Sequence, residues 1–169
     1  MNTDNEPLTF PPQILPATAP GDTVLLRRPG QAIWAGAVSA WPEGFEFTLL
    51  ILNDVHLAEA PPPEAFALHP GERGPNAWIS VQYADGRTRA ADLNTNTPTE
   101  QNAGPHLSFI YGESSATEGW DLTRWWVTPL PPPGPIQLII HLGHHSNTTG
   151  TGYLDGQAII QATHRTNSK

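Results

Sequence analysis

The stretch that decides the fold covers residues 124–142 and reads Arg-Trp-Trp-Val-Thr-Pro-Leu-Pro-Pro-Pro-Gly-Pro-Ile-Gln-Leu-Ile-Ile-His-Leu. Both of its ends are rich in aromatic or β-branched residues, which favour strands. In the second half, apolar residues recur at every second position and would share one face of a strand: Ile136, Leu138, Ile140 and Leu142. The prolines at 131–133 supply no N–H group to a sheet, so they must lie outside any central pairing. The stretch therefore predicts two β-strands joined by a stiff proline connector.

The chain before this stretch shows the same two-residue period. Residues 33–40 and 45–52 are predicted to form a hairpin around the turn Trp41-Pro42-Glu43-Gly44. On the returning strand, Glu46 and Thr48 alternate with apolar residues that would share one face: Phe45, Phe47, Leu49 and Ile51. Asp85-Gly86 predicts a two-residue hairpin turn between strands at 77–84 and 87–92. The 15 glycines and 19 prolines among 169 residues indicate many turns and few long helices.

Seven or eight short strands with frequent turns predict an all-β fold, an antiparallel, immunoglobulin-like β-sandwich with at most one short C-terminal helix. We expect a single domain over residues 21–164, a proline-rich arm over 1–20 and a disordered tail over 165–169. The segment 151–163 has two interpretations. Either Asp155-Gly156 is a hairpin turn, or Asp155 caps a helix over 157–163 in which Leu154 packs on Ile159. We favour the helix.

The charge balance excludes several classes of partner. Eight Lys and Arg stand against sixteen Asp and Glu, which gives a net charge of −8. The basic residues form no stripe that could neutralise phosphates, so we expect neither nucleic acid nor a membrane as partner. There is no cysteine, and so no disulfide, thiol nucleophile or cysteine-ligated metal. The acidic start of the chain lacks the basic and then apolar pattern of a secretion signal, which predicts a cytoplasmic protein.

The best candidates for a binding surface are aromatic: Trp120, Trp125 and Trp126, with Arg124 between them. Successive residues of a strand point to opposite faces, so one of the two adjacent rings enters the core and the other lies outside. The sequence leaves open which one does. An outward tryptophan beside Arg124 suits a cation–π contact, and exposed aromatic rings are typical of protein interfaces. We therefore expect the outward ring and Trp120 to belong to a protein-binding patch.

Other polar groups give weaker indications of chemistry. His141, His144 and His145 are close enough in sequence to bind zinc, but no acidic residue lies near them to orient their rings. Several acids offer carboxylate pairs of the kind that glycosidases use, which a chain with sixteen acids provides by chance: Glu113/Glu118, Asp121 and Glu43/Glu46. We expect solvated loop histidines, no metal, no cofactor and no enzymatic activity.

Three blocks of the sequence also carry a family resemblance. They are Pro42-Glu-Gly-Phe-Glu-Phe47, Val81-Gln-Tyr-Ala-Asp-Gly-Arg87 and Trp126-Val-Thr-Pro-Leu-Pro-Pro-Pro-Gly-Pro135, followed by Leu154-Asp155-Gly156. In this order they resemble blocks of a family of small uncharacterised actinobacterial proteins, over residues 23–163. The resemblance implies a bacterial, cytoplasmic, single-domain protein. It carries no activity.

These observations lead to a ranked expectation of function. The first is a non-enzymatic β-sandwich that binds another protein through the tryptophan patch. The alternative is a carbohydrate-binding module that stacks sugar rings on exposed tryptophans, although the usual ligands of such modules are extracellular. A metal-dependent enzyme built on the histidines comes third. The sequence leaves the partner and the oligomeric state open.

Overall fold

The computed structural model describes residues 15–53, 77–98, 104–115, 117–143 and 148–166. In these residues the chain forms eleven strands and one helix, and the strands make two antiparallel sheets. The strands are β1 (Ala17–Thr18), β2 (Thr23–Arg28), β3 (Gln31–Trp41), β4 (Gly44–Asn53), β5 (Trp78–Gln82), β6 (Thr88–Asp92), β7 (Thr97–Pro98), β8 (His106–Ser115), β9 (Trp120–Thr128), β10 (Pro135–Leu142) and β11 (Thr148–Asp155), and the helix is α1 (Gly156–Thr166). The predicted all-β sandwich with one short C-terminal helix is confirmed.

The chain crosses repeatedly from one sheet to the other. Sheet A has the order β1-β3-β4-β9-β8, and β2 pairs with a different part of β3. Sheet B has the order β11-β10-β5-β6-β7. The chain passes from sheet A to sheet B after β4 and after β9, and it returns after β7. The proline connector makes the crossing from β9 to β10, so its missing N–H groups cost the sheets no hydrogen bonds.

The core lies between the sheets and is built from alternate residues of the long strands. The apolar faces predicted for β4 and β10 both point inward, and each member is at most 4% exposed: Phe45, Phe47, Leu49, Ile51, Ile136, Leu138, Ile140 and Leu142. Trp125 of β9 joins the same cluster from sheet A, and Ile79 and Val81 of β5 join it from sheet B. Burying one such side chain contributes about 1.5–3 kcal/mol, so this double layer is the main source of stability.

The β5–β6 hairpin has a three-residue loop where two residues were predicted. The N–H of Tyr83 donates to the carbonyl of Arg87 at 2.8 Å, and the N–H of Gly86 donates to the carbonyl of Tyr83 at 2.9 Å. Gly86 has a φ of 87°, the left-handed conformation that the third position of such a loop requires. Both strands are therefore shorter than predicted, ending at Gln82 and beginning at Thr88.

Tyr83 ties this hairpin to the proline connector. The residue is 2% exposed, and its hydroxyl donates to the carbonyl of Pro129 at 2.5 Å. The guanidinium of Arg87 lies 5.4 Å from the ring centroid. Burial is the main cause that raises the pKa of Tyr83 above its ordinary range, and the nearby Arg87 opposes it. The phenol therefore stays protonated in the folded protein well into the alkaline range.

The sequence did not predict strand β11, nor the two-residue strands β1 and β7. The inward positions of β11 include Gly150 and Gly152, and glycine is unfavourable in strands. A Cβ on Gly150 would lie 2.5 Å from the carbonyl oxygen of Leu25, and one on Gly152 would lie 2.5 Å from Thr23 Oγ1. Only glycine lets β2 approach so closely. The N–H of Tyr153 also donates to Thr23 Oγ1 at 3.3 Å, so β2 links the two sheets.

The end of the described chain forms the helix α1, as favoured from the sequence. Asp155 Oδ1 accepts hydrogen bonds from the N–H groups of Gln157 at 2.9 Å and Ala158 at 3.2 Å, which is the expected N-cap. Leu154 and Ile159 are both buried, at the two positions of a hydrophobic staple. The helix interpretation is confirmed, and the alternative hairpin turn is wrong.

The sandwich extends beyond the expected limits of 21 and 164. Ala17 and Thr18 pair with β3, and the N–H of Ala19, which is 3% exposed, donates to the carbonyl of Val38 at 2.9 Å. At the other end α1 continues to Thr166, and Arg165 Nη2 donates to the carbonyl of Thr18 at 3.3 Å. The arm thus contributes its last residues to the fold. Residues 1–14 of the arm and 167–169 of the tail lie outside the described residues.

Removing residues 1–20 should destabilise the domain more than removing residues 1–14. The longer deletion takes away β1, the buried Ala19 and their backbone bonds to β3. We expect it to lower the free energy of unfolding by about 2–4 kcal/mol relative to the shorter deletion. Urea titrations followed by tryptophan fluorescence measure both shortened chains. Equal stabilities would show that β1 adds nothing to the fold.

Replacing Tyr83 with Phe should flatten the loss of stability at alkaline pH. Because the pKa of Tyr83 is raised in the folded state, the unfolded chain releases this proton first as the pH passes the ordinary tyrosine value of about 10. The contribution of the buried phenol is complete below that pH and declines above it, by about 1.4 kcal/mol per pH unit. Urea midpoints measured between about pH 8 and pH 11 give the slope. Tyr153→Phe, at a residue that is 57% exposed, is the control, and the prediction fails if both variants keep the original slope.

Candidate functional site on the outer face of sheet A

The two adjacent tryptophans of β9 point in opposite directions, as expected. Trp125 is the inward ring and is completely buried; its Nε1 donates to Thr123 Oγ1 at 2.9 Å. Trp126 is the outward ring, yet it is only 9% exposed, because Trp41 packs against it edge to face with the centroids 5.3 Å apart. The expected binding patch therefore has to be corrected. Trp125 belongs to the core, and the outer surface of Trp126 is covered by another tryptophan.

Arg124 forms an ion pair in place of the expected cation–π contact. Its Nε donates to Glu46 Oε1 at 2.8 Å, and its Nη2 contacts the same oxygen. The side chain of Glu46 is 9% exposed and that of Arg124 is 44% exposed. A carboxylate this deeply buried is costly without a charged partner, so Arg124 stabilises an acid of the neighbouring strand. The pair links β4 to β9 across the outer face of sheet A.

Trp120 lies at the other end of β9 and is half-buried. Its Nε1 donates to the carboxylate of Glu118 at 2.7 Å, which restrains the orientation of the ring. Its cross-strand partner on β4 is Leu52, which is 43% exposed. Of the tryptophans expected in the patch, Trp120 is thus the one that reaches the surface beside other apolar side chains.

These neighbours form an apolar surface that crosses four strands of sheet A. Trp34 of β3 is the cross-strand partner of Leu50 of β4, and Leu50 is the partner of Leu122 of β9. Val24 of β2 lies opposite Trp34 and is 51% exposed. We call this set the outer strip: Val24, Trp34, Leu50, Leu52, Trp120 and Leu122. The outward face of a two-sheet sandwich is normally polar, so a continuous apolar strip there is an unusual feature.

The position of the Trp34 ring depends on Gly36, which has no side chain. Trp34 shares the outer face of β3 with Gly36, two residues further along. A Cβ on Gly36 would lie 2.3 Å from the ring of Trp34, so any other residue would displace the indole. The glycine therefore determines how Trp34 is presented within the outer strip.

The sequence contains a signal for the outer strip that the alternation of β4 obscures. In the first half of the strand, the outward residues Glu46 and Thr48 are polar. In the second half, Leu50 and Leu52 continue an unbroken apolar run from 49 to 52, so both faces of the strand are apolar there. A strand that is apolar on both faces predicts that something covers the outer one. The identity of the cross-strand partners Trp34, Leu122 and Trp120 comes only from the register of the sheet.

The histidines do not converge on a metal centre in the described part of the chain. His141 stacks on Trp78, with the ring centroids 5.3 Å apart and the planes 17° from parallel, and its Nδ1 lies 3.2 Å from Thr149 Oγ1. His144 and His145 lie outside the described residues. Among the described residues, no group of three or more histidine or acidic side chains is arranged to hold a metal ion.

A small open cleft lies at the edge of sheet A formed by β8 and β9. Its volume is about 200 Å³. Its lining is polar apart from one ring and one glycine: Asn96, Phe109, Gly112, Glu113, Ser114, Asp121 and Thr123. Glu113 and Asp121, which the sequence suggested only as chance acid pairs, both border this cleft, but their side chains lie on opposite faces of sheet A, because Glu113 pairs with Leu122 and Asp121 with Ser114. A shift of register between Phe109 and Tyr111 sets which residues of β8 reach it, and the sequence gives no sign of that bulge.

Comparisons with known proteins add no functional assignment. The chain matches no protein-family model, no curated protein and no solved structure. The helix in the described residues is too short and too polar to cross a membrane. The candidate site therefore rests on its own geometry.

Alanine substitutions should separate the three tryptophans of β9 into distinct classes. Trp125→Ala should cost about 3–5 kcal/mol, because it empties a fully buried site. Trp120→Ala should cost about 1 kcal/mol or less, because the ring is only half-buried. Trp126→Ala should fall between them, since it removes the contact with Trp41. Urea titration of each variant measures these values, and a Trp120→Ala variant as unstable as Trp125→Ala would place Trp120 in the core.

Proposed function

We propose that this protein is a non-enzymatic β-sandwich module that binds another protein through the outer strip. The observation that carries the proposal is the strip itself, six apolar side chains that cross four strands on a sheet face directed away from the core. Soluble domains seldom leave such a surface open unless a partner docks on it. Tryptophan and leucine side chains at the centre of a patch, bordered by charged groups such as the Glu46–Arg124 pair, also match the anatomy of protein interfaces.

A protein partner fits the outer strip better than a sugar does. Sugar recognition needs hydrogen-bonding groups around a stacking ring, and four members of the strip are aliphatic. The indole N–H of Trp120 already donates to Glu118. A protein surface with apolar side chains gains from burying the strip at about 25 cal/mol per Å², without any further polar contact. We therefore rank the carbohydrate-binding alternative second.

The order of the strands supports an immunoglobulin-like topology for the module. In variable-type immunoglobulin domains one sheet is built from strands A, B, E and D, and the other from G, F, C, C′ and C″. The orders β3-β4-β9-β8 and β11-β10-β5-β6-β7 follow that scheme when β3 is taken as strand A. Sandwiches of this architecture frequently serve as recognition modules, which agrees with the proposal by analogy.

We place the module in the cytoplasm of a bacterium, as the family resemblance implies. The absence of cysteine agrees with this location, because a sandwich without disulfides has no need of an oxidising compartment. The apolar double layer between the sheets supplies the stability that disulfides give to many secreted sandwiches.

Charged substitutions in the outer strip should abolish partner binding and leave the fold intact. The bait is the immobilised full chain, and proteins that it captures from host lysate are identified, purified and titrated against it. Leu52→Glu, at a side chain that is 43% exposed, should weaken binding of the captured protein at least tenfold, since a desolvated carboxylate would face apolar groups.

The control for this experiment is Tyr153→Glu, on the outer face of sheet B. Tyr153 is 57% exposed, so the same charge is introduced at a comparable surface position away from the outer strip. The control should bind the partner as the unaltered chain does. A captured protein that binds Leu52→Glu and the unaltered chain equally well would rule out the outer strip as the docking surface.

A further inference from the structure

Strand β8 gives sheet A an open edge at one end. It pairs with β9 along its length, and among the described residues no strand pairs with its other side. Sheet B approaches the start of β8, where Arg89 Nε donates to the carbonyl of Pro105 at 3.0 Å. Residues 111–114, in the second half, are all exposed. This half of the edge is therefore accessible to a strand from another molecule.

The second half of β8 carries only part of the protection that edge strands usually have. Natural edges carry charged residues, above all lysine, or proline, bulges or very short strands, which prevent pairing with other chains. Residues 111–115 read Tyr-Gly-Glu-Ser-Ser and contain neither lysine nor proline, and their one charge, Glu113, repels an acidic strand but not a basic one. The bulge between Phe109 and Tyr111 precedes this segment and does not interrupt it. The edge is thus suited to accept a strand, the recognition mode known as β-augmentation.

The polar cleft lies directly beside this edge. Ser114 of β8 is the cross-strand partner of Asp121 of β9, and both residues line the cleft. Asp121 is 7% exposed. Glu113 pairs with Leu122, so its side chain lies on the outer face of sheet A, where its carboxylate accepts a hydrogen bond from the Tyr111 hydroxyl at 2.9 Å. Asp121 is thus the acid whose side chain shares the face of the cleft. A strand added to β8 would turn every second side chain toward the cleft and its buried carboxylate.

We propose that residues 111–115 of β8 bind an extended segment of a partner protein, and that an arginine or lysine of this segment enters the cleft. The proposal rests on the protein-binding function and names the chemistry of the partner. Neighbouring strands are about 4.8 Å apart, so the backbone of an added strand lies about 10 Å from β9. A long basic side chain spans most of that distance to Asp121, whereas a short side chain does not. Arginine suits the site best because its planar group binds carboxylates with paired hydrogen bonds.

Charge favours such a partner over a second copy of this chain. Antiparallel pairing of two β8 edges would bring together two segments that each carry Glu113, and each molecule carries a net charge of −8. Like charges across an interface are unfavourable. A basic strand, in contrast, is attracted by the negative charge of the protein.

The first test uses a displayed library of random octapeptides as the probe, selected on the immobilised full chain. We expect the bound peptides to combine β-branched residues with an arginine or lysine at one fixed position. The best peptide is then synthesised and titrated against variants of the protein. Asp121→Asn should weaken binding at least tenfold, and Glu43→Gln, which removes an exposed acid of the β3–β4 turn, should leave it unchanged.

A second variant keeps the test valid should Asp121→Asn fail to fold. Ser114→Lys, at an exposed residue of the edge, places a cation beside Asp121 and should also weaken peptide binding at least tenfold. Its matched control is Gln157→Lys, which adds the same charge at an exposed position of α1 and should bind the peptide normally. Normal peptide binding by both Asp121→Asn and Ser114→Lys would remove the cleft from the proposal.

Backbone pairing is tested with two N-methylated forms of the same peptide. In one, methyl groups replace the amide protons of odd residues, and in the other those of even residues. An added strand turns only one of these sets toward β8, so one form should lose at least tenfold in affinity and the other should not. Three results would each overturn the proposal. The selected peptides could lack a basic residue, the two methylated forms could lose affinity equally, or the protein could form a dimer that the peptide dissociates.

The outcome is separable from that of the proposed function. The peptide should bind Leu52→Glu as well as the unaltered chain, because Leu52 belongs to the outer strip and not to the cleft. Loss of peptide binding with retained partner binding would reject only the edge site. If Leu52→Glu binds the captured protein as well as the unaltered chain does, and the peptide still binds, only the outer strip is rejected.

Discussion

The two inner sheet faces hold the structure together, because each long strand directs every second side chain into one shared core. Phe45 and Phe47 enter this core from sheet A, and Leu138 and Ile140 enter it from sheet B on β10. The chain crosses between the sheets after β4, β7 and β9, so groups of consecutive strands supply the two layers of this core in turn. The proline connector, the Tyr83 hydroxyl and the cap of α1 then fix the elements that surround the core.

The alternation of apolar residues made the core predictable from the sequence. The sheet edges were not predictable, and the outer face of sheet A left only one local sign, the apolar run of residues 49–52. On β4 and β10 the period of two identifies the buried side chains directly. β11 escapes prediction because Gly150 and Gly152 are explained only by the approach of β2, a strand more than a hundred residues earlier. The cover over Trp126 depends on the register that brings Trp41 beside it. Such long-range pairings leave no local pattern in a single sequence.

The outer face of sheet A is divided into two parts of different character. At one end Trp41 and Trp126 pack on each other, so their apolar area is satisfied within the chain. At the other end the outer strip has no such aromatic cover among the described side chains. The Glu46–Arg124 ion pair lies on the same face, between the two parts. A charged pair in that position gives the outer strip a polar border on the side of Trp126.

The contact between Arg165 and Thr18 brings the first and last parts of the fold side by side. The chain therefore enters and leaves the sandwich at nearly the same point on its surface. A domain with adjacent entry and exit points can be inserted into a loop of another protein, or repeated in tandem, without stretching either sheet. Such a domain can be joined to other domains without a change in the strand pairing that forms the outer strip and the β8 edge.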